Sequence, residues 1–228
     1  LIHPLLLNKC AGELAYPLCV IFSRSLSQGC VPTLWKKSTV VPIFKKGSRY
    51  DPLNYRPISL TSVSCKSMER LICSHIHSYL EEHSVLTDHQ FGFRPGRSTV
   101  DQLLLVYNDV SQALDDGSTV DVILFDYSKA FDVVNHNILL TKLRLLGIDG
   151  SLLDWISSFL SHRTLQVGVM GRLSSPKAVL SGVPQGSVLG PLLFLVFINH
   201  VASQLSCKHK IFADDLKIYA CLTVADGA

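Results

Sequence analysis

An α+β fold is predicted by three features of the sequence. Short β-branched runs alternate with longer stretches of helical period, yet without the even spacing of βαβ units. At 228 residues, 47% hydrophobic and 17% charged, the chain suits one domain with a clear subdivision. It is apolar enough to offset its ordering entropy, which excludes a disordered tail. The longest apolar run, residues 188–198, is broken by Gly190 and Pro191. It falls well short of the roughly 20 residues a bilayer span needs, so it reads as a core helix and no membrane partner is expected.

The elements follow in order. Residues 38–44 (STVVPIF) read as a strand, with Pro42 favouring an edge. Loop chemistry occupies 47–57, and 58–60 resumes an extended run. Residues 67–80 carry Leu71, Ile72, Ile76 and Leu80 at helical spacing. After a loop at 91–98, a helix is expected from about Thr99, capped by Ser98 or Thr99. Leu103, Val106 and Val110 would face the core, and the run Leu103-Leu104-Leu105 also reads as core. Residues 119–125 (TVDVILF) form an apolar strand that runs straight into Asp126. Helices are expected at about 136–146 and 151–161, short strands at 165–170 and 178–180, and a buried helix at 187–200 with Pro191 in its first turn. Residues 210–213 and 216–220 flank Asp214-Asp215 as a β-hairpin would.

The formal net charge of +3 excludes a strongly basic coat protein for nucleic acid, but it is unevenly spread. Between residues 36 and 56 six basic side chains face one acid, Asp51, which leaves the rest of the chain net acidic. A solvated hairpin would account for such a cluster as well as a ligand would. Seven cysteines form no CxxC pair and are odd in number, so they read as reduced core residues of an intracellular protein. The histidines show no metal-ligand spacing.

The acidic residues carry the chemistry. Asp126 ends one strand, and Asp214 and Asp215 sit at a turn between two others, 88 residues further on. If these strands are neighbours, three carboxylates converge, and their repulsion calls for compensation. Hard divalent cations prefer carboxylate oxygens, and two of them about 3.5–4 Å apart can clamp the oxygens of phosphoryl transfer. An Asp-Asp pair alone is a common turn former, so the surroundings must decide.

Those surroundings are FDYSKAFD at 125–132, SGVPQGSVLGP at 181–191 and FADD at 212–215, in this order. They resemble the A, B and C motifs of reverse transcriptases. Upstream, VVPIFKKG at 40–47, NYRPISL at 54–60 and QFGFRPGRST at 90–99 are similar to the fingers blocks of non-LTR (LINE-type, jockey-like) retrotransposons. The resemblance implies a right-hand polymerase, with fingers and an N-terminal extension at 1–118. It places at 119–228 a palm of antiparallel sheet and packed helices, truncated after the C-motif hairpin, with the thumb missing. It also implies RNA-directed DNA polymerase activity: two-metal transfer of dNTPs to a primer 3′-hydroxyl on an RNA template, as in retrotransposition.

Residue by residue, Asp126, Asp214 and Asp215 match the catalytic acids that bind two Mg²⁺ ions, with Mn²⁺ as an alternative. Phe131 matches the steric gate under the incoming sugar. Lys45 and Arg56 match residues that grip the triphosphate, with Lys46 able to replace Lys45 in the alignment. Gln185 and Gly186 match the block beside the nucleotide. Arg94, Arg97 and Ser98 fall in the block along the template strand, where arginine to phosphate is the expected contact. Asp132 reads as structural.

The chain departs from the pattern at Asn199-His200, where relatives carry Asp at the second position, and a packing or capping effect is expected there. Leu1 at the start and an end soon after a strand suggest a fragment, without thumb or endonuclease and with little processive activity. The implied partners are an RNA template, a DNA primer and dNTPs, in the nucleus and cytoplasm for a parent element; nothing in the sequence bears on oligomeric state. A truncated or domesticated copy that is inert or only binds nucleic acid is the alternative. An intron-encoded or telomeric reverse transcriptase fits the palm but matches the 54–60 and 90–99 blocks less well.

Overall fold

In this computed structural model residues 4–222 are described. Along the chain come α1 (Pro4–Lys9), α2 (Ala11–Ser27), β1 (Lys37–Phe44), β2 (Tyr55–Leu60), α3 (Val63–Glu82), α4 (Thr99–Asp115), β3 (Thr119–Asp126), α5 (His136–Leu145) and α6 (Gly150–Leu160). Then follow β4 (Arg163–Val169), β5 (Arg172–Leu173), β6 (Lys177–Val179), α7 (Gly190–Ile198), β7 (Lys208–Phe212) and β8 (Asp215–Leu222). The α+β expectation holds. The described residues divide into two units, each discontinuous in sequence: those up to 78 with 131–193, and 79–130 with those from 194. Residue 118, the expected boundary between fingers and palm, lies inside the second unit.

In the first unit the strands run in the order β2-β1-β4-β5, with β6 also on β4. β1 is antiparallel to β2 from Thr39 opposite Leu60 to Phe44 opposite Tyr55, and parallel to β4 only through residues 37–40. Pro42 therefore sits where β4 no longer accompanies β1. There its missing N–H removes no ladder bond on that side, so a central strand tolerates it. Helix α6 places apolar residues at 153, 156 and 160 on one face beside Trp155 and Phe159, and all five are buried. Burying a side chain of this size contributes about 2–3 kcal/mol. The Trp155 indole also donates to Ser25 Oγ at 2.9 Å, which ties α6 to α2, an element the sequence pattern did not disclose.

The second unit holds a three-stranded antiparallel sheet in the order β3-β8-β7. Its register runs from Thr119 opposite Leu222 to Asp126 opposite Asp215. Residues 89–91 lie alongside β7: Ile211 N donates to His89 O at 2.8 Å, and Phe91 N donates to Ile211 O at 2.9 Å. A small core of Ala202, Ile211 and Leu216 lies in this unit. Asn199 grips the chain near residue 86 from both amide ends. Its Oδ1 accepts from Thr87 N and its Nδ2 donates to Val85 O.

Helix α4 overturns one expectation. Ser98 caps it with a capping box closed by Asp101, as expected. However, Leu103, Leu104 and Leu105 are exposed, Leu103 by 50%, and only Val106 and Val110 of the expected core face are half-buried. The inward stripe is instead partly polar. Gln102 accepts from Lys217 Nζ at 2.8 Å, and Asp109 accepts from the Tyr219 hydroxyl at 2.5 Å. Such bonds to charged groups turn the helix so that its polar side meets the sheet. The cysteine expectation also narrows: all seven are free, but only Cys65 is buried.

Burial first, and then Asp109, hold the Tyr219 phenol above its ordinary range. Tyr219→Phe should therefore lower stability by about 1–3 kcal/mol through loss of a charge-assisted bond inside the unit. A urea titration checks this, and an unchanged midpoint would show that the bond contributes nothing.

Candidate functional site

The second unit carries the three acids. Asp126 and Asp215 are direct register partners at the end of β3 and the start of β8, and Asp214 is the second residue of the two-residue turn that joins β7 to β8. Opposite positions in such a ladder place Cβ atoms roughly 4.5–5.5 Å apart. The strands do become neighbours, and the sheet pairs residues 89 positions apart. Asp126 and Asp215 are exposed and Asp214 is half-exposed.

The turn has an unusual backbone. Ala213 has φ +56°, a left-handed value at the first turn position, where glycine is the common choice. Gln90, only 3% exposed, brackets that residue. Its Oε1 accepts from Ala213 N at 2.9 Å and from Gly92 N at 2.8 Å, and its Nε2 donates to Ala213 O at 3.3 Å. Gly92 lies so close that an added Cβ would be 2.3 Å from Ala213 N, so only glycine fits. The 90–99 block, quoted as a sequence motif, thus contains a residue whose role the sequence did not reveal. A glutamine directly before Phe91-Gly92 was the available signal.

The three residues matched to the template block are held within this unit. Arg94 is 9% exposed; its Nε and Nη2 bind the two carboxylate oxygens of Glu81, and Nη1 donates to Thr87 O at 2.7 Å. Arg97 donates to the backbone and side chain of Asp88, lies over the Phe91 ring and holds the Asp88 carboxyl below its ordinary range. Ser98 is the N-cap of α4.

The residues matched to the nucleotide lie in the first unit. Lys45 and Arg56 are exposed at the end of the β1–β2 ladder where the 45–54 loop joins the two strands and Ile43 faces Arg56. Phe131 is half-buried and opens a segment that pairs with the Gly-rich loop: Val183 N donates to Phe131 O, and Gly182 N donates to Val134 O, both at 2.9 Å. Gln185 Nε2 donates to Asp132 Oδ1 at 2.8 Å, which gives Asp132 a definite partner. Gly186 has φ +101°, and a Cβ there would be 2.7 Å from Ser59 O; beside it, Ser59 N donates to Gln185 O at 2.8 Å. A cavity of about 100 Å³ lies at this loop, with Ser59, Asp132, Ser181 and Gln185 in its wall.

A fully buried carboxylate that the sequence reading passed over supports the same loop. Glu69 of α3 accepts from Val188 N at 2.7 Å and Leu189 N at 3.1 Å, just before α7 begins. Its position on the stripe with Ile72 and Ile76 was the sequence signal: a lone acid on an apolar helix face. Burial first, and then Glu69, push the Cys65 thiol up.

Among the described residues, no three His, Cys, Asp or Glu side chains are gathered as a finished metal cage. The donor chemistry of the acidic turn still suits hard divalent cations. Asp126, Asp214 and Asp215 supply only oxygen, stand at adjacent or paired backbone positions, and are open to water and phosphate oxygens that would complete the shell.

Comparison with known proteins gives a family match over most of the chain. Residues 43–223 match the family model described as reverse transcriptase (RNA-dependent DNA polymerase). The chain is 36% identical to the probable RNA-directed DNA polymerase from transposon BS of Drosophila melanogaster, over 88% of this chain and 23% of that protein. It is 38% identical to the RNA-directed DNA polymerase from mobile element jockey of the same species, over 80% of this chain and 20% of the relative. The chain thus spans about a fifth of the length of these relatives. Among solved structures, apo telomerase from Candida tropicalis, truncated from its C-terminal domain, superposes with a TM-score of 0.59 at 14% identity. That match covers 91% of this chain and 49% of the other, a likeness of fold.

The strand beside the turn also gives a pH dependence. Burial first, and then His209 and Lys210, hold the His89 imidazole below its ordinary value. The folded state therefore disfavours a proton that the unfolded chain takes up near pH 6.5. The resulting stability is present above about pH 6.5 and is lost as pH falls from there through the folded value. His89→Gln should flatten the change in urea midpoint between pH 7.5 and 5.5, and an equal slope in both proteins would refute this origin.

Proposed function

The chain belongs to the reverse transcriptase (RNA-dependent DNA polymerase) family, and from that premise we propose that it is the polymerase core of a non-LTR mobile element. In this reading it adds dNTPs to a primer 3′-hydroxyl on an RNA template. The observation that carries the proposal is the register that pairs Asp126 with Asp215 and leaves Asp214 in the adjoining turn.

Asp126 and Asp214 would hold two Mg²⁺ ions, or Mn²⁺, with Asp215 as the neighbouring acid. When bound, such ions supply charge neutralisation and activation of the attacking oxygen. The chain's own residues supply position. Lys45 and Arg56, exposed on the β1–β2 ladder, meet the triphosphate, Arg56 through paired N–H donors and Lys45 as a point charge. Phe131 excludes a 2′-hydroxyl by bulk. Gln185 and Gly186 border the nucleotide from a loop whose backbone is held by Ser59 and the 131–134 segment. Arg97 and Ser98 meet the template strand, while Arg94 acts from behind by bracing their loop on Glu81. In this proposal 1–118 serve as fingers and 119–228 as palm, a functional division that differs from the compact units.

Primer extension on an RNA template tests the reading. Asp214→Asn should reduce incorporation at least about 100-fold, the scale expected when a metal ligand is lost. Equal incorporation by both proteins would remove the acids from the mechanism, and none from either would favour the inert copy. In the same assay Phe131→Val should relax discrimination against rNTPs by about 10-fold or more. Unchanged selectivity would show that this ring is not the gate.

A further inference from the structure

We propose that Gln90 is a positioning residue for the acidic turn, holding Ala213 in its left-handed conformation and so setting the direction in which Asp214 is presented. The inference rests on the reading of Asp214 as a metal-binding carboxylate.

A non-glycine residue at φ +56° stores strain, and it persists only where its surroundings over-determine it. Relaxation of Ala213 to negative φ would rotate the peptide that leads into Asp214 and splay the hairpin. The Gln90 amide opposes that rotation at both backbone groups of Ala213, accepting from its N–H and donating to its carbonyl. Because Gln90 Oε1 also accepts from Gly92 N, the amide can point only one way; reversed, it would set N–H against N–H and oxygen against oxygen. Water offers no substitute partner to a side chain only 3% exposed.

The clamp is itself anchored. The segment 89–91 exchanges two backbone bonds with Ile211, two residues before the turn, and Gly92 lies against Ala213 with no room for a side chain. Segment, clamp and turn are therefore tied to one another. A glutamine that only filled hydrogen bonds in the core would matter equally whatever residue stood at 213. One that holds a strained backbone matters less once that strain is removed.

That difference is the test. With the full chain, Mn²⁺ binding without nucleotide is measured by electron paramagnetic resonance, and amide exchange is followed at Ala213. Single-nucleotide incorporation gives kcat and the dNTP KM. Gln90→Ala should weaken Mn²⁺ binding by about 10-fold, as loss of a residue that orients a ligand does, speed exchange at Ala213, and lower kcat with KM within about twofold. In the Ala213→Gly background, where positive φ carries no penalty, removing Gln90 should change Mn²⁺ binding by no more than about threefold. Gln90→Glu keeps the acceptor but loses the donor to Ala213 O; it serves if the alanine variant does not fold, and its effect should be intermediate. Equal losses in the alanine and glycine backgrounds, or Mn²⁺ binding unchanged in both variants, would overturn the proposal while leaving the acids in place. A wild-type chain that binds no Mn²⁺ would overturn the reading of the acids and this inference with it.

Discussion

The antiparallel register between β3 and β8 is the constraint from which the chemistry of the second unit follows. It stands Asp126 opposite Asp215, and a slip of one residue would send Asp126 to the other face of the sheet. Like charges directly opposite one another are destabilising, so the pairing must be held by something else. At one end the two-residue turn, braced by Gln90, fixes where β8 begins. Further along, Tyr219 and Lys217 bind α4 through Asp109 and Gln102. The sheet thus keeps an unfavourable contact in place because favourable ones on both sides leave no other register.

The first unit solves a different problem with similar means. A glycine-rich loop must be rigid, although its composition makes it the most permissive segment nearby. Backbone bonds to Ser59 and to the 131–134 segment hold one half, and the buried Glu69 carboxylate takes the two amides just before α7. Burying a charge is costly, and here two N–H donors and the positive end of a helix offset the cost. Arginine is used in two distinct ways. Arg94 and Arg163 are buried and spend their donors on Glu81 and on backbone carbonyls, whereas Arg56 faces water.

Periodicity located most elements to within a few residues, and the motif order located the acids. It failed at α4 because a helix with apolar residues on several sides does not declare which side is inward. Leu103, Leu104 and Leu105 promised a core, but Gln102 and Asp109 had charged partners on the sheet and turned the helix their way. It also overlooked α2, whose Pro17 argues against a helix interior even though the observed helix accommodates it.

By itself the sequence determined the chemistry on offer: which carboxylates end strands, where glycines permit close approach, and which segment is too short and interrupted to cross a bilayer. These are local properties, set by residue type and spacing within one segment. Only the tertiary structure decided which polar groups are already engaged. Arg94 looked like a hand for nucleic acid and proved to be gripping Glu81, while Gln90 and Glu69, silent in the pattern, hold a turn and a loop. The partners in the last two cases lie about 120 residues away in sequence, and a pairing at that distance exists only once the chain has folded.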